Sequence, residues 1–215
     1  MNTDAAAWIP LFPEEEIPYI LAAICRCGSR LQKREATELE NDLSDRLRLL
    51  LDRDAGLRDR PVELFREVPI YERRRTRQKQ LGRSDLMFLF STGARKPWPY
   101  FVVESKRLHV TFESGWQSLI SEYVSGEQGM MCFVNQRYSK DLACGGMLGY
   151  VFDGDVAAAR SSIASTIQSK RRRLKCSPGA ELRKSALSNG THEISESSHR
   201  RSNADFTIYH LLIAV

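Results

Sequence analysis

The sequence predicts an α/β fold, a mixed central sheet flanked by helices, on three observations. A helical stripe precedes three β-type runs, a second amphipathic stretch follows them, and compact apolar runs come next. The stripe spans residues 31–52, where Leu39, Leu43, Leu47, Leu50 and Leu51 recur at three- and four-residue spacing. The β-type runs are 64–71, 86–90 and 100–106; Pro69 marks the first as an edge, a bulge or a strand end. The turn-rich stretch 91–99 joins the last two as a hairpin. Residues 112–124 are expected as the second helix, with Trp116, Leu119, Ile120 and Tyr123 on its apolar face. Strands are expected at 130–134 and 149–152.

The flanking segments read more simply. Residues 1–13 form an irregular arm pinned by Trp8, Leu11 and Phe12. A short helix at 14–27 is broken at Gly28-Ser29, and Ser29 or Thr37 is placed to cap the next helix. Downstream, Asp153-Gly-Asp155 is a turn rather than a metal loop. A long helix at 156–174 ends in the basic run Lys170-Arg-Arg-Arg-Leu-Lys175, which complements a helix C-terminus and offers a second nucleic-acid surface. A polar loop at 177–188 and a terminal strand at 206–215 complete the chain. His199 and His210 stand near that strand, and isolated histidines of this kind are read as structural.

At 215 residues and 42% hydrophobic content, the chain suits one substantial core, and a single domain over 1–215 is expected. No apolar run approaches the roughly 20 residues of a membrane helix and no basic secretory start is present, so a cytoplasmic protein without membrane contact is expected. Cys25, Cys27, Cys132, Cys144 and Cys176 lack paired zinc spacing and read as reduced, packed thiols. The formal net charge of +5 suits a phosphate-rich partner.

Clustered charge is more informative than the total. Glu104 and Lys106 end an apolar strand, and strand alternation puts them on one face with Ser105 and Arg107 on the other. Charges beside so much apolar material require pairing or a metal ion. Asp85 immediately precedes the partner strand, so the hairpin brings it to the same end as Glu104. On the preceding helix Glu40 projects beside the leucine stripe, whereas Glu35 and Glu38 are expected to face solvent. Arg73, Arg74, Arg75, Arg77, Lys79 and Arg83 crowd the residues before Asp85, as a wet hairpin or as a phosphate-contacting surface.

Asp85, a hairpin, then Glu104-Ser-Lys106 resembles the PD-(D/E)XK nuclease superfamily, with Ser84 in place of the nominal proline. The resemblance implies a restriction-endonuclease-like αβββαβ core over about 31–134, preceded by the arm and helix at 1–28 and followed by a C-terminal extension at 135–215. It further implies that Asp85 and Glu104 hold Mg²⁺, or Mn²⁺ in its place, with the Ser105 carbonyl completing the shell. Lys106 then activates water or balances charge on the phosphate. Two readings of Glu40 stand: a further metal-site carboxylate, or a surface acid favoured at a helix N-terminus. The implied activity is endonucleolytic cleavage of DNA, in a restriction or anti-phage defence setting, with recognition supplied by a protein partner or a homodimer. The alternative is a nuclease-like binding or scaffolding subunit without turnover.

Overall fold

The computed structural model describes residues 13–73, 78–91, 99–140, 142–179, 181–188, 192–202 and 204–215. The expected anchors Trp8, Leu11 and Phe12 lie outside the described residues, as do Arg74, Arg75 and Arg77.

A short 3₁₀ turn, Glu14–Glu16, leads into α1 (Ile17–Gly28), followed by α2 (Glu40–Leu51) and α3 (Ala55–Arg58). Three long strands come next: β1 (Val62–Arg73), β2 (Gln78–Phe90) and β3 (Tyr100–Leu108). A small hairpin of β4 (Val110–Phe112) and β5 (Gly115–Gln117) precedes α4 (Ile120–Ser125) and α5 (Met131–Val134). The remainder comprises β6 (Cys144–Val151), α6 (Val156–Ser169), β7 (Arg183–Lys184), β8 (Ser195–Arg200) and β9 (Asp205–Ala214).

Seven strands form one mixed sheet in the order β1-β2-β3-β6-β9-β8-β7. β3, β6 and β9 run parallel at its centre, and antiparallel pairs complete both sides. Strand alternation sorts the core into two layers. Phe88, Phe101, Val103, Leu148 and Tyr150 pack with α1 and α2, whereas Met87, Val102, Met147 and Val151 pack with α4, α5 and α6. β1 is an edge strand, which accommodates Pro69 because its missing N–H needs no partner there. Among the described residues no helix is long and apolar enough to cross a membrane.

The elements depart from the sequence expectation at several places. Residues 31–39 are not helical; α2 begins at Glu40 because Leu39 is extended (φ −71°, ψ 147°). The Arg107 guanidinium donates to the carbonyls of Thr37 and Glu38, the Arg46 guanidinium donates to that of Gln32, and neither Ser29 nor Thr37 caps the helix. Tertiary bonds thus claim backbone that an isolated segment would fold into helix. Leu39, released from the stripe, is exposed.

Residues 112–117 turn in a hairpin rather than a helix, since Gly115 has φ +109° and Leu119 is left-handed at φ 53°. Only Ile120 and Tyr123 of the expected apolar face enter the core, and Trp116 is exposed. Met131–Val134 is one helical turn, buried throughout; a short apolar run does not distinguish buried helix from buried strand. The strand after the second helix is instead β6, longer than the expected 149–152, so the helix, three-strand, helix, strand order reaches Val151. A Cβ on Gly145 would lie 2.5 Å from Phe133, and one on Gly149 would lie 2.6 Å from both Leu108 and Leu212. These glycines serve close packing in a fully buried strand, not chain reversal. The basic run at 170–175 lies beyond the end of α6, and β8 has no counterpart among the expected strands.

Leu43 and Leu47 seat α2, and with it Glu40, on the sheet and are fully buried. Leu43→Ala is expected to lower the unfolding free energy by about 3 kcal/mol, read from urea denaturation.

Candidate functional site

The β2–β3 ladder ends at the pair Leu86↔Val103. One step further, register would oppose Asp85 to Glu104, but the strands splay and side chains fill the opening. Asp85 Oδ2 accepts from the Ser105 backbone N–H at 2.6 Å and from the Ser105 hydroxyl at 2.7 Å. A side chain therefore supplies the acceptor that β2's backbone no longer provides. Beyond this point β1 and β2 continue as a paired arm without β3, through to Arg73↔Gln78. Asp85 sits at the root of that arm.

Glu104 and Lys106 share the face that strand alternation assigns them. The Lys106 ammonium donates to Glu104 Oε1 at 3.2 Å and to Glu40 Oε1 at 2.9 Å, and also to the Ser105 carbonyl. Glu40 Oε2 accepts from the Arg107 backbone N–H at 3.1 Å. Glu40 is the first residue of α2, so its helix start is bonded to the strand carrying the charged pair. Glu40 does stand at a helix N-terminus, but it is half-buried and bonded to β3 rather than a free surface acid. Glu38 is corrected as well: it is buried, accepting from Arg46 at 2.7 Å and from the Arg34 N–H at 2.7 Å, because residue 38 lies outside the helix whose geometry would turn it to solvent.

On the opposite face a buried hydroxyl chain supports the strand. Ser44 Oγ lies 3.0 Å from Ser105 Oγ and 3.1 Å from Tyr150 Oη, and Ser44 is fully buried. Asp85, Ser105, Ser44 and Tyr150 thus link β2, β3, α2 and β6. Neither Ser44 nor Tyr150 stands out in the sequence. One signal for Ser44 existed: it stands four residues after Glu40 and beside Leu43, a small polar group on a buried helical face.

The electrostatics reflect burial and crowding. Three carboxylates against one ammonium leave a formal charge of −2 if all ionise. Burial raises the pKa of Glu104 well above the ordinary value; Asp85 adds to the rise and Lys106 opposes it. Burial likewise raises Glu40, against the pull of Lys106. Lys106 is itself raised: its own burial works against the charge, but the nearby Glu104 and Glu40 outweigh it. The ammonium stays charged, and the excess negative charge is relieved by protonating carboxyl groups.

No protein-family model, curated protein or solved structure matches this chain. The site is therefore read from its own chemistry. Two carboxylates and the Ser105 carbonyl make an all-oxygen donor set suited to a hard divalent ion. Glu104 Oε2 is buried with no hydrogen-bond partner, an acceptor in need of a cation or donor. Among the described residues, no three His, Cys, Asp or Glu side chains are gathered closely enough to hold a metal by themselves.

Of the basic residues, Lys79 and Arg83 are exposed on the β1–β2 arm, with Arg83 3.4 Å from Glu67. Arg73 closes the arm's described pairing with Gln78. Gln117 bonds to Ser114 at 3.5 Å, and Tyr123 is buried against His210 at 3.0 Å. His199 and His210 lie in a buried relay. The Leu174 carbonyl only accepts, so His199 Nδ1 donates to it and Nε2 accepts from Ser197; Ser197 in turn accepts from His210, whose Nδ1 accepts from Tyr123. Burial pushes His199 down to about 4 and His210 down to about 3, so both are neutral structural groups. The five cysteines are unpaired thiols.

Lys106→Met tests the charge balance. The folded carboxyls hold protons above their ordinary value of 4.5, so the unfolded chain ionises first as pH rises and the carboxylate penalty grows upward from there. Lys106, raised above 10.5, offsets that penalty over the whole range below it. Removing it is expected to cost about 3 kcal/mol at about pH 8. The cost should be much smaller near pH 4.5, where the carboxyls are protonated; denaturant titrations at both pH values check this.

Proposed function

We propose that this chain is a divalent-metal-dependent endonuclease acting on DNA phosphodiesters. The observation that carries the reading is Lys106 held between Glu104 and Glu40, with Asp85 bonded to the intervening Ser105, at the point where β2 leaves β3. Magnesium, or manganese in its place, held by Asp85, Glu104 and the Ser105 carbonyl with Glu40 beside them, would supply Lewis acidity and a bound water of lowered pKa.

The chain's own residues divide the remaining work. Lys106 retains its charge, so its ammonium orients a hydroxyl or balances charge developing on phosphoryl oxygens. Glu40 aims that ammonium, and its bond to the Arg107 N–H holds the carboxylate in place. Asp85, through Ser105, holds the two strands at a defined splay. Lys79 and Arg83 on the arm meet backbone phosphates beside the site, together with Arg73, Arg74, Arg75 and Arg77 in the proposal. The exposed Arg83–Glu67 pair is worth at most about 1 kcal/mol, so Arg83 readily exchanges Glu67 for phosphate. Selection of a target sequence falls to a protein partner or a second copy.

A second reading has one observation in its favour: Lys106 already bridges Glu40 and Glu104, and Asp85 Oδ2 is already bonded to Ser105. On that reading the cluster is a structural ion network in a non-catalytic nucleic-acid-binding or scaffolding subunit.

Purified protein with plasmid and linear DNA separates the two. Cleavage is expected with Mg²⁺ or Mn²⁺ and none with EDTA. Asp85→Asn, Glu104→Gln and Lys106→Ala should each reduce it by about a hundredfold or more. Equal cutting by wild type and all three variants would remove this site from the chemistry. Absence of any calorimetric Mg²⁺ binding, with or without DNA, would favour the scaffold.

A further inference from the structure

Far from the carboxylates, the chain after α6 folds against the end of β8 and leaves an open surface cavity of about 500 Å³. Two strands, β6 and β9, lie between β8 and β3. The Arg200 N–H donates to the Lys175 carbonyl at 2.7 Å and the Ser177 N–H to the Ser198 carbonyl at 3.0 Å, fixing the loop to the strand. Arg171, Arg172, Lys175 and Arg200 line the cavity, with Glu181 the one acid among its described lining residues.

None of those four cationic side chains has a hydrogen-bond, ion-pair or ring partner among the described residues. They are not needed to cap α6, because backbone groups do that: the Lys170 N–H bonds to Thr166, the Arg171 N–H to Gln168 and the Cys176 N–H to Arg171. Nor does Cys176, in the cavity wall, contribute an anion, since burial pushes its thiol up to about 11. Four exposed like charges lining one concavity raise the local concentration of anions.

We propose that this cavity is a binding site for a ligand carrying two phosphate groups, such as pyrophosphate or a nucleoside diphosphate. Four cations less Glu181 leave a formal +3. One phosphate group carries about −1.5 to −2 and does not balance it, whereas two do. Three arginines supply the forked donors that match phosphate oxygens. The volume lies within the roughly 300–1,000 Å³ of small-molecule sites and leaves room for a nucleoside beside the phosphates. The site is independent of the nuclease reading.

Calorimetric titration of the full chain with pyrophosphate, ADP and orthophosphate, in chloride buffer with EDTA, tests the proposal. Pyrophosphate and ADP are expected to bind, with orthophosphate about tenfold weaker or more. ADP binding tighter than pyrophosphate would identify the nucleoside diphosphate as the source; equal affinity would identify the diphosphate group alone. Arg171→Ala/Arg200→Ala should weaken both ligands about tenfold or more, and Lys175→Ala less, while exposed Arg58→Ala changes nothing. Thermal melts verify that each variant is folded. The proposal fails if neither diphosphate binds, or if the double variant binds as well as wild type. It fails too if a single-stranded oligonucleotide occupies the cavity and pyrophosphate does not displace it, which would make the surface an extended nucleic-acid track.

Discussion

An ammonium placed among carboxylates, at a break in a β ladder, is the constraint around which this molecule is arranged. Lys106 sits on the central strand β3 and is buried, as is Glu104 two residues before it. Burying either alone would cost several kcal/mol. Together with Glu40 they form a compensated group, but only while α2 keeps its first residue over the strand. The leucines of α2 and the hydroxyl chain through Ser44 maintain that position, so the apolar core and the polar site stabilise the same placement.

The β2–β3 ladder stops one step short of Asp85 and Glu104. Asp85 satisfies the Ser105 N–H that the ladder abandons, and the arm of β1 and β2 projects onward from there. The one side chain serves both ends: it closes the backbone accounting on β3 and adds negative charge beside Glu104, which burial and that charge together keep inclined to hold a proton.

The chain carries a second, oppositely charged feature at the other side of its sheet. The loop after α6 is pinned by backbone bonds to β8, and its arginines line a cavity without partners among the described residues. Between the two regions lies the neutral relay of Tyr123, His210, Ser197 and His199, whose hydrogen bonds are fully assigned and whose burial keeps it uncharged. Acidic site, neutral core and basic cavity are thus separate electrostatic environments within one sheet.

The three strands, their hairpin order and the shared face of Glu104 and Lys106 are legible in the sequence alone, because strand alternation and turn chemistry are local. Glu40 is also visible there, standing beside a regular leucine stripe. Tertiary structure decided the outcome wherever distant groups compete for the same backbone. Arg107 and Arg46 hold the carbonyls of Thr37, Glu38 and Gln32 that keep 31–39 out of the helix, and close packing at Phe133 and Leu108 explains glycines in β6. Met131–Val134 became helix and not strand because an apolar run of that length fits either form until its neighbours exist. Ser44 meets Ser105 and Tyr150 across 61 and 106 residues of chain. Local periodicity carries no information about such partners; only the folded sheet brings them within hydrogen-bonding distance.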